Sequence, residues 1–295
     1  MNRTSKREGL LYDVGMHKGE DTDFYLKKGF SVIGFEANPD LAAACRNRFA
    51  HELENGRLTI VEGAIVELPA GETATPTVKF YRHRNASDWG TVAPDWGRQN
   101  RTLGDDVVDV ASVNFASCLE TYGIPHYLKI DIEGMDIACL RALQTFEQRP
   151  DYVSIESERV TFGKLVDEWN LLTQLGYTGF KAVQQSGVSY QAEPKPSHEG
   201  MYVGGHQAQE GCSGLFGEDL PGTWKNYDQV LRQYRIIFKL YEWFGASGSL
   251  NGSLVVRGLR RVLSERLQRQ IPGWYDTHAR HSSVATKAHG KSGLE

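Results

Sequence analysis

"LYDVGMHKGEDTDFYLKKGFSVIGFEANPD" (residues 11–40) joins a short apolar strand, a Gly-x-x-x-Gly turn and a helix-length stretch to a second strand ending in Glu36. In an open parallel sheet this spacing puts the turn and the acid at the carboxyl edge of the strands, where such sheets bind ligands. A turn built for a dinucleotide reads Gly-x-Gly-x-x-Gly, so that the backbone can approach a pyrophosphate. Counted from Gly15, the second and third of those positions hold His17 and Glu20. The imidazole would crowd a diphosphate and the carboxylate would repel it. What stands is Asp13-x-Gly15-x-x-x-Gly19, with Glu36 placed for the two hydroxyls of a ribose.

A glycine turn that has no phosphate cradle and opens on an acid suits a nucleoside carrying a cationic head. S-adenosyl-L-methionine is that ligand: its ribose suits Glu36, and its amino group and sulfonium suit the acid at Asp13. "VEGAI" (61–65) ends a third strand on the small residues Gly63 and Ala64, where an adenine has room to lie flat against backbone. "YLKIDIEGMD" (127–136) then brings acids to the end of a later strand. If that strand runs on extended, Lys129, Asp131 and Glu133 share one side. Charges there are costly unless paired or functional, so Lys129 reads either as a structural ion pair or as part of the chemistry. Asp131 and Glu133 read as catalytic acids, joined by Glu156 at the end of "YVSIESE" (152–158). Neighbouring strands lie about 4.8 Å apart, so Asp131 and Glu156 are expected to flank one acceptor hydroxyl or one divalent ion such as Mg2+. The sequence leaves base and metal open.

Outward from this stretch, strand-like and helix-like segments alternate through residue 183. Strands are expected at 10–14, 31–36, 58–65, 77–83, 107–115, 127–132, 152–155 and 177–183. Helices are expected at 20–28, 39–53, 116–122, 135–146 and 162–175. The alternation predicts an α/β fold with a mostly parallel sheet covered on both faces, with 77–115 inserted before the next core strand. From residue 184 the chain becomes rich in Gly and Pro but keeps Tyr190, Tyr202, Phe216 and Trp224. Those aromatics argue for an ordered loop rather than a disordered linker. A helix follows with Val230, Tyr234, Ile237, Tyr241 and Phe244 on one stripe, packed on its own domain or, in the other outcome, forming a homodimer interface. "VVRGLRRVLSERLQRQ" (255–270) reads as a solvated basic helix face. The expected organisation is a cofactor-binding core over 1–183, a substrate-covering extension over 184–280 and a frayed tail over 281–295.

The 295 residues carry 33 Lys and Arg against 37 Asp and Glu, a net charge of −4, and no basic footprint for nucleic acid. Four scattered cysteines point to thiols in a reducing compartment. The basic start of the chain has no apolar run behind it, so it does not read as a secretory signal. No window approaches the roughly 18 apolar residues of a membrane span. A cytoplasmic location is expected.

"DVGMHKGEDT" (13–22), "VIGFEANPD" (32–40), "YLKIDIEGMD", "SGLFGEDLPGTW" (213–224) and "WYDTHA" (274–279) together resemble the FkbM family of S-adenosylmethionine-dependent methyltransferases. The resemblance runs from Leu11 to about Arg280. Family members commonly carry an Asp in the segment before the Lys-Ile-Asp-Ile-Glu-Gly run, where this chain has Ala116. The resemblance implies the seven-stranded class I methyltransferase sheet, Rossmann-like and mostly parallel, with a C-terminal loop-and-helix extension. It also implies O-methylation of a sugar or natural-product hydroxyl, with a small-molecule or glycan acceptor as partner. The rival readings are a dinucleotide-dependent oxidoreductase, opposed by His17 and Glu20, and a non-catalytic binding module on the same fold.

Overall fold

The computed structural model describes residues 2–67, 76–82, 90–92, 106–132, 134–157, 161–206, 208, 211–244, 250, 258, 260–262, 264, 266, 270–271 and 273–284. Glu133, residues 285–295 and most of the arginine-bearing stretch 255–270 lie outside them. The strands are β1 (Lys6–Val14), β2 (Ser31–Glu36), β3 (Leu58–Glu62), β4 (Ala64–Ile65), β5 (Thr77–Arg82), β6 (Asp106–Val113), β7 (Ile124–Ile130), β8 (Tyr152–Glu156), β9 (Tyr177–Gln184) and β10 (Tyr275–His281). The helices are α1 (Glu20–Lys27), α2 (Pro39–Arg48), α3 (Ala50–Glu54), α4 (Phe115–Tyr122), α5 (Asp136–Leu143), α6 (Phe162–Gln174) and α7 (Tyr227–Phe244). The main sheet is seven-stranded in the order β3-β2-β1-β7-β8-β10-β9. A second sheet holds β4, β6 and β5 in that spatial order. The chain divides into two compact units, Met1–Val153 with Gly200–Val203, and Ser154–Glu199 with Gly204–Glu295.

In the first unit, β1 pairs in parallel with β2 on one side and β7 on the other. The order of the sheet reverses there, which makes the ends of β1 and β7 the topological switch point. The last five residues of β1 are buried in succession, as in a strand covered on both faces. Local chemistry sets the helix starts. α1 begins after Gly19 in the left-handed region and carries Glu20, Asp21 and Asp23 in its first turn, matching the positive end of the helix dipole. Asn38 caps α2 by accepting from Asp40 N at 3.1 Å, with Pro39 at the first helical position. Asn114 caps α4 by accepting from Ser117 N at 3.1 Å.

Among the expected boundaries that differ from the structure, three differ for a physical reason that the contacts make plain. The helix expected over 39–53 breaks at Phe49, which leaves helical geometry and buries its ring against Gly19. The strand expected over 58–65 serves two sheets: β3 pairs with β2, and β4 pairs with β6. The switch is made at Gly63, whose φ of 138° and close approach to Ala111 O leave no space for a Cβ. The strand expected to end at 132 ends at Ile130, so the shared parity of Lys129 and Asp131 does not extend past the strand.

In the second unit, β10 runs antiparallel to β9, with His278 opposite Lys181. This strand comes from residues assigned by sequence to the extension. Thr277 is its inward anchor: Thr277 Oγ1 lies 2.8 Å from Ser157 Oγ and 2.9 Å from Tyr234 OH, and Trp169 Nε1 donates to it at 3.3 Å. Trp169 stacks on Phe180 with centroids 5.5 Å apart. Val230, Tyr234 and Ile237 of α7 are buried within this unit. The Gly- and Pro-rich segment before α7 is tied down by buried acceptors. Asp219 accepts from Ser197 Oγ at 2.8 Å and His198 N at 2.7 Å, and Glu199 Oε1 accepts from Glu218 N at 2.8 Å. Among the described residues no helix is long and apolar enough to cross a membrane.

Candidate active site

At the end of β1 the chain turns tightly over the end of β2. Gly15 N and Met16 N both donate to Phe35 O, at 3.1 and 2.9 Å, and Gly19 N closes the turn on Met16 O at 2.7 Å. His17 sits in the left-handed region at φ 52°, a conformation unusual for a residue with a side chain. What holds it there is Glu36. One oxygen of Glu36 accepts from His17 N at 2.8 Å and the other from Asn38 N at 2.8 Å. The acid at the end of β2 therefore bridges the β1–α1 turn and the β2–α2 loop. Burial pushes its carboxyl up to about 7, against the pull of the two N–H groups and of His17.

Gly15 is required by a neighbour as well as by its φ of 84°. A Cβ there would lie 1.9 Å from Asp131 O. Asp131 N in turn donates to Val14 O at 2.9 Å. The backbone of Asp131 is thus pressed against the glycine turn, one residue beyond the end of β7. Lys129, two residues earlier, stands opposite Asp13 in the β1–β7 register. Its ammonium donates to Asp13 Oδ1 at 3.0 Å and Gly15 O at 2.9 Å, with Asp21 Oδ2 3.6 Å away. Burial opposes its charge, but Asp13, Asp21 and Asp131 outweigh that cost and hold Lys129 protonated. The other oxygen of Asp13 accepts from Thr22 Oγ1 at 2.6 Å.

Of the residues singled out by sequence, Asp13, Gly15, Gly19, Glu36, Gly63 and Asp131 all belong to the first unit, around the ends of β1, β2 and β7. Asp13 is fully buried, with one oxygen on Lys129 Nζ and the other on Thr22 Oγ1. Gly19 faces the Phe49 ring, 2.4 Å from a would-be Cβ. Gly63 N donates to Glu36 O at 2.9 Å, which sets its backbone beside the acid. Ala64 is buried with Phe80 and Val110 in the core of the small sheet. Glu156 ends β8 half-buried and belongs to the second unit. Glu133 is outside the described residues. Two features had no reading from sequence: the engagement of Asp21 with Lys129, and Asp136, whose carboxylate accepts from Ile132 N and Gly134 N at 3.1 Å each. The signal for the second was present in the spacing, an acid three residues after Glu133 at the start of a helix.

Among the described residues, no group of three or more His, Cys, Asp or Glu side chains is assembled as for a metal ion. The residues present do fit a nucleoside cofactor. A carboxylate at the end of β2 lies against a glycine turn at the switch point, its two oxygens on His17 N and Asn38 N.

Strand order, turn and acid define a class I methyltransferase fold. A family model described as the methyltransferase FkbM domain matches residues 13–178, more than half of the chain, and the protein belongs to that family. A methyltransferase of this family uses S-adenosylmethionine. Solved structures that the chain resembles include three methyltransferases at low identity. The precorrin-6y C5,15-methyltransferase of Geobacter metallireducens GS-15 has 14% identity, a TM-score of 0.31, and coverage of 62% of this chain and 71% of that one. A putative rRNA methylase of Clostridium thermocellum has 10% identity, a TM-score of 0.32, and coverage of 61% and 79%. The StiE O-MT, residues 942–1257, has 10% identity, a TM-score of 0.35, and coverage of 92% and 67%. No curated protein sequence matches the chain.

Proposed function

We propose that this methyltransferase acts on oxygen, moving the methyl group of S-adenosylmethionine to a hydroxyl of a sugar or natural-product acceptor. The bound cofactor supplies an electrophilic methyl on a cationic sulfur. The chain's part is to hold the nucleoside, align the acceptor and take up its proton. Glu36 accepts from the ribose hydroxyls, and the backbone at Gly15, Gly19, Gly63 and Ala64 forms the surface against which the rest of the nucleoside lies.

The observation that carries the reading is Asp131. It is a half-buried acid just beyond β7, its backbone locked against the cofactor turn by Val14 O on one side and Gly15 on the other. A hydroxyl must lose a proton as it gains the methyl, and an acid held at that edge can accept it. Glu133 and Glu156 are the other acids proposed as catalytic. Such a base contributes roughly 10²–10⁴ in rate, while alignment of the reactants contributes about 7–11 kcal/mol. Positioning is therefore the larger part, and surplus negative charge is more useful on the acceptor side than beside the sulfonium, whose charge is consumed in the reaction.

The test is transfer of label from methyl-tritiated S-adenosylmethionine into an extract of the source cells, with chemical analysis of the labelled product. An O-methyl ether is expected, with Asp131→Asn lowering the rate while S-adenosylhomocysteine affinity holds. Label recovered on nitrogen, sulfur or carbon would overturn the assignment to oxygen.

A further inference from the structure

Asp136 opens α5, yet its side chain turns back to the loop that follows β7. Oδ1 accepts from Ile132 N and Oδ2 from Gly134 N, each at 3.1 Å. Gly134 takes φ 95°, so the loop folds back sharply enough for one carboxylate to reach both amides. The helix itself gains no side-chain cap from Met135. One acid thus joins the start of α5 to both arms of the loop, and the first arm begins at Asp131. On the other side, Asp131 is fixed by Val14 O and by contact with Gly15. The acid at the strand end is clamped from the cofactor turn on one side and from Asp136 on the other.

We infer that Asp136 is a positioning residue for methyl transfer: its carboxylate sets the loop that aims Asp131, and protonation of Asp136 releases that aim. The inference rests on the reading of Asp131 as the acceptor-side acid. An ionised carboxylate can accept at both oxygens. A protonated one presents an O–H to one of the two amides, and half of the clamp is lost. Asp136 stands at about 6: burial raises it most, the charge of Asp131 adds to the rise, and the Ile132 and Gly134 amides hold it back. From its own helix, Cys139 is the neighbouring titratable group among the described residues, and its thiol is held protonated by burial. The switch therefore falls just below neutral pH, with the competent state above it.

Asp136→Asn places an amide N–H where one oxygen accepts, and so copies the protonated state at every pH. The experiment measures methyl transfer to cell extract between pH 5 and 8 for both proteins, with tritiated S-adenosylmethionine saturating at every pH so that the titration of Glu36 does not enter the rate, and S-adenosylhomocysteine affinity is measured by calorimetry at pH 7.5. Wild type is expected to lose rate below about pH 6. Asp136→Asn is expected to be slower by about 10- to 100-fold at pH 7.5, the scale of a misplaced reacting group, and to lack the acid limb, with affinity within about twofold. An acid limb equal in both proteins, or an equal rate at pH 7.5, overturns the inference. Should the variant fail to fold, the amide resonances of Ile132 and Gly134 in wild type decide it: a shared midpoint near pH 6 supports the clamp, and flat shifts refute it. Failure of wild type to transfer methyl or bind S-adenosylhomocysteine would instead strike the reading of the site, which the amide titration does not touch.

Discussion

Glu36 links cofactor recognition to stability in opposite directions. Its carboxyl is 7% exposed and stands at about 7, raised from 4.5 chiefly by burial. In the folded, cofactor-free protein it therefore keeps a proton that the unfolded chain gives up near 4.5. Stability should fall as pH rises between those two values, where only the folded state holds the proton, and level off above about 7. At 1.36 kcal/mol per pH unit the loss is roughly 3 kcal/mol. Glu36→Gln removes the proton and the slope with it. Urea unfolding of both cofactor-free proteins at pH 5, 6, 7 and 8 measures the difference, and Asp136, which titrates in both, cancels. The variant is expected to be the less pH-dependent protein by most of that amount. Binding should run the other way. Ribose hydroxyls donate to the ionised carboxylate, so S-adenosylhomocysteine should bind wild type more tightly as pH rises from 6 to 8. The variant should bind more weakly at pH 8 by about 1.5–3 kcal/mol, the range for a hydrogen bond to a charged group. Parallel stability profiles would refute the buried-acid argument. Unchanged affinity in the variant would refute the ribose contact.

Asp151→Asn should destabilise at neutral pH by about 3 kcal/mol, since it strips the buried partner of Lys6 and His126. Burial alone would raise the Asp151 carboxyl, but His126 and Lys6 overcome it and hold it below 3.8, so the stabilisation is present above that value and lost as pH falls through the folded one. The gap in melting temperature between the two proteins should accordingly narrow toward pH 3. Gly15→Ala should weaken S-adenosylhomocysteine binding at least tenfold in calorimetry, because its Cβ displaces Asp131 O from 1.9 Å; an equal Kd would show that the close approach is unimportant. Trp224→Ala removes a ring that lies beneath Lys181 at 4.3 Å and Arg280 at 5.1 Å and donates to Glu218 Oε2 at 3.0 Å. A lower urea midpoint with unchanged m is expected, by about 2–3 kcal/mol.

How legible each part was depends on whether its physics is local. β2 matches its expected limits because Gly29 before it and Asn38-Pro39 after it punctuate the chain. The double duty of residues 58–65 could not be read, because the reason for a break at Gly63 lies in β6, about fifty residues further along. β10 was hidden for a related reason. Asp276, His278 and Arg280 interrupt any apolar run in the sequence, and only beside β9 do they become one face of a strand. There Arg280 meets Glu218 and the Trp224 ring, while His278 is buried neutral, its imidazole pushed down to about 3 by burial and then by Lys181. In the site, residue types were readable and directions were not. Asp13 reads as an acid at the cofactor turn, and the sequence does not show that Lys129 stands opposite it.

That pairing also decides what the charges on the central strands are for. A buried ion pair is weak support for stability, since the desolvation of both partners consumes most of the Coulomb gain. Lys129 with Asp13 and Asp21 buries one positive charge against two negative ones, so as a device for holding the fold together it compares poorly with three apolar side chains of similar volume. Its geometry is more particular. A single ammonium reaches the end of β1 at Asp13, the turn at Gly15 O and the first turn of α1 at Asp21. Gly15 is the residue whose close approach fixes the backbone of Asp131. The lysine thus ties the glycine turn to the strand that delivers the acid, and the two can shift only together. An apolar residue at 129 could fill the space but would leave two buried carboxylates uncompensated and the Gly15 carbonyl without its donor. The network is best understood as fixing one arrangement of the turn at the switch point, at some expense in stability.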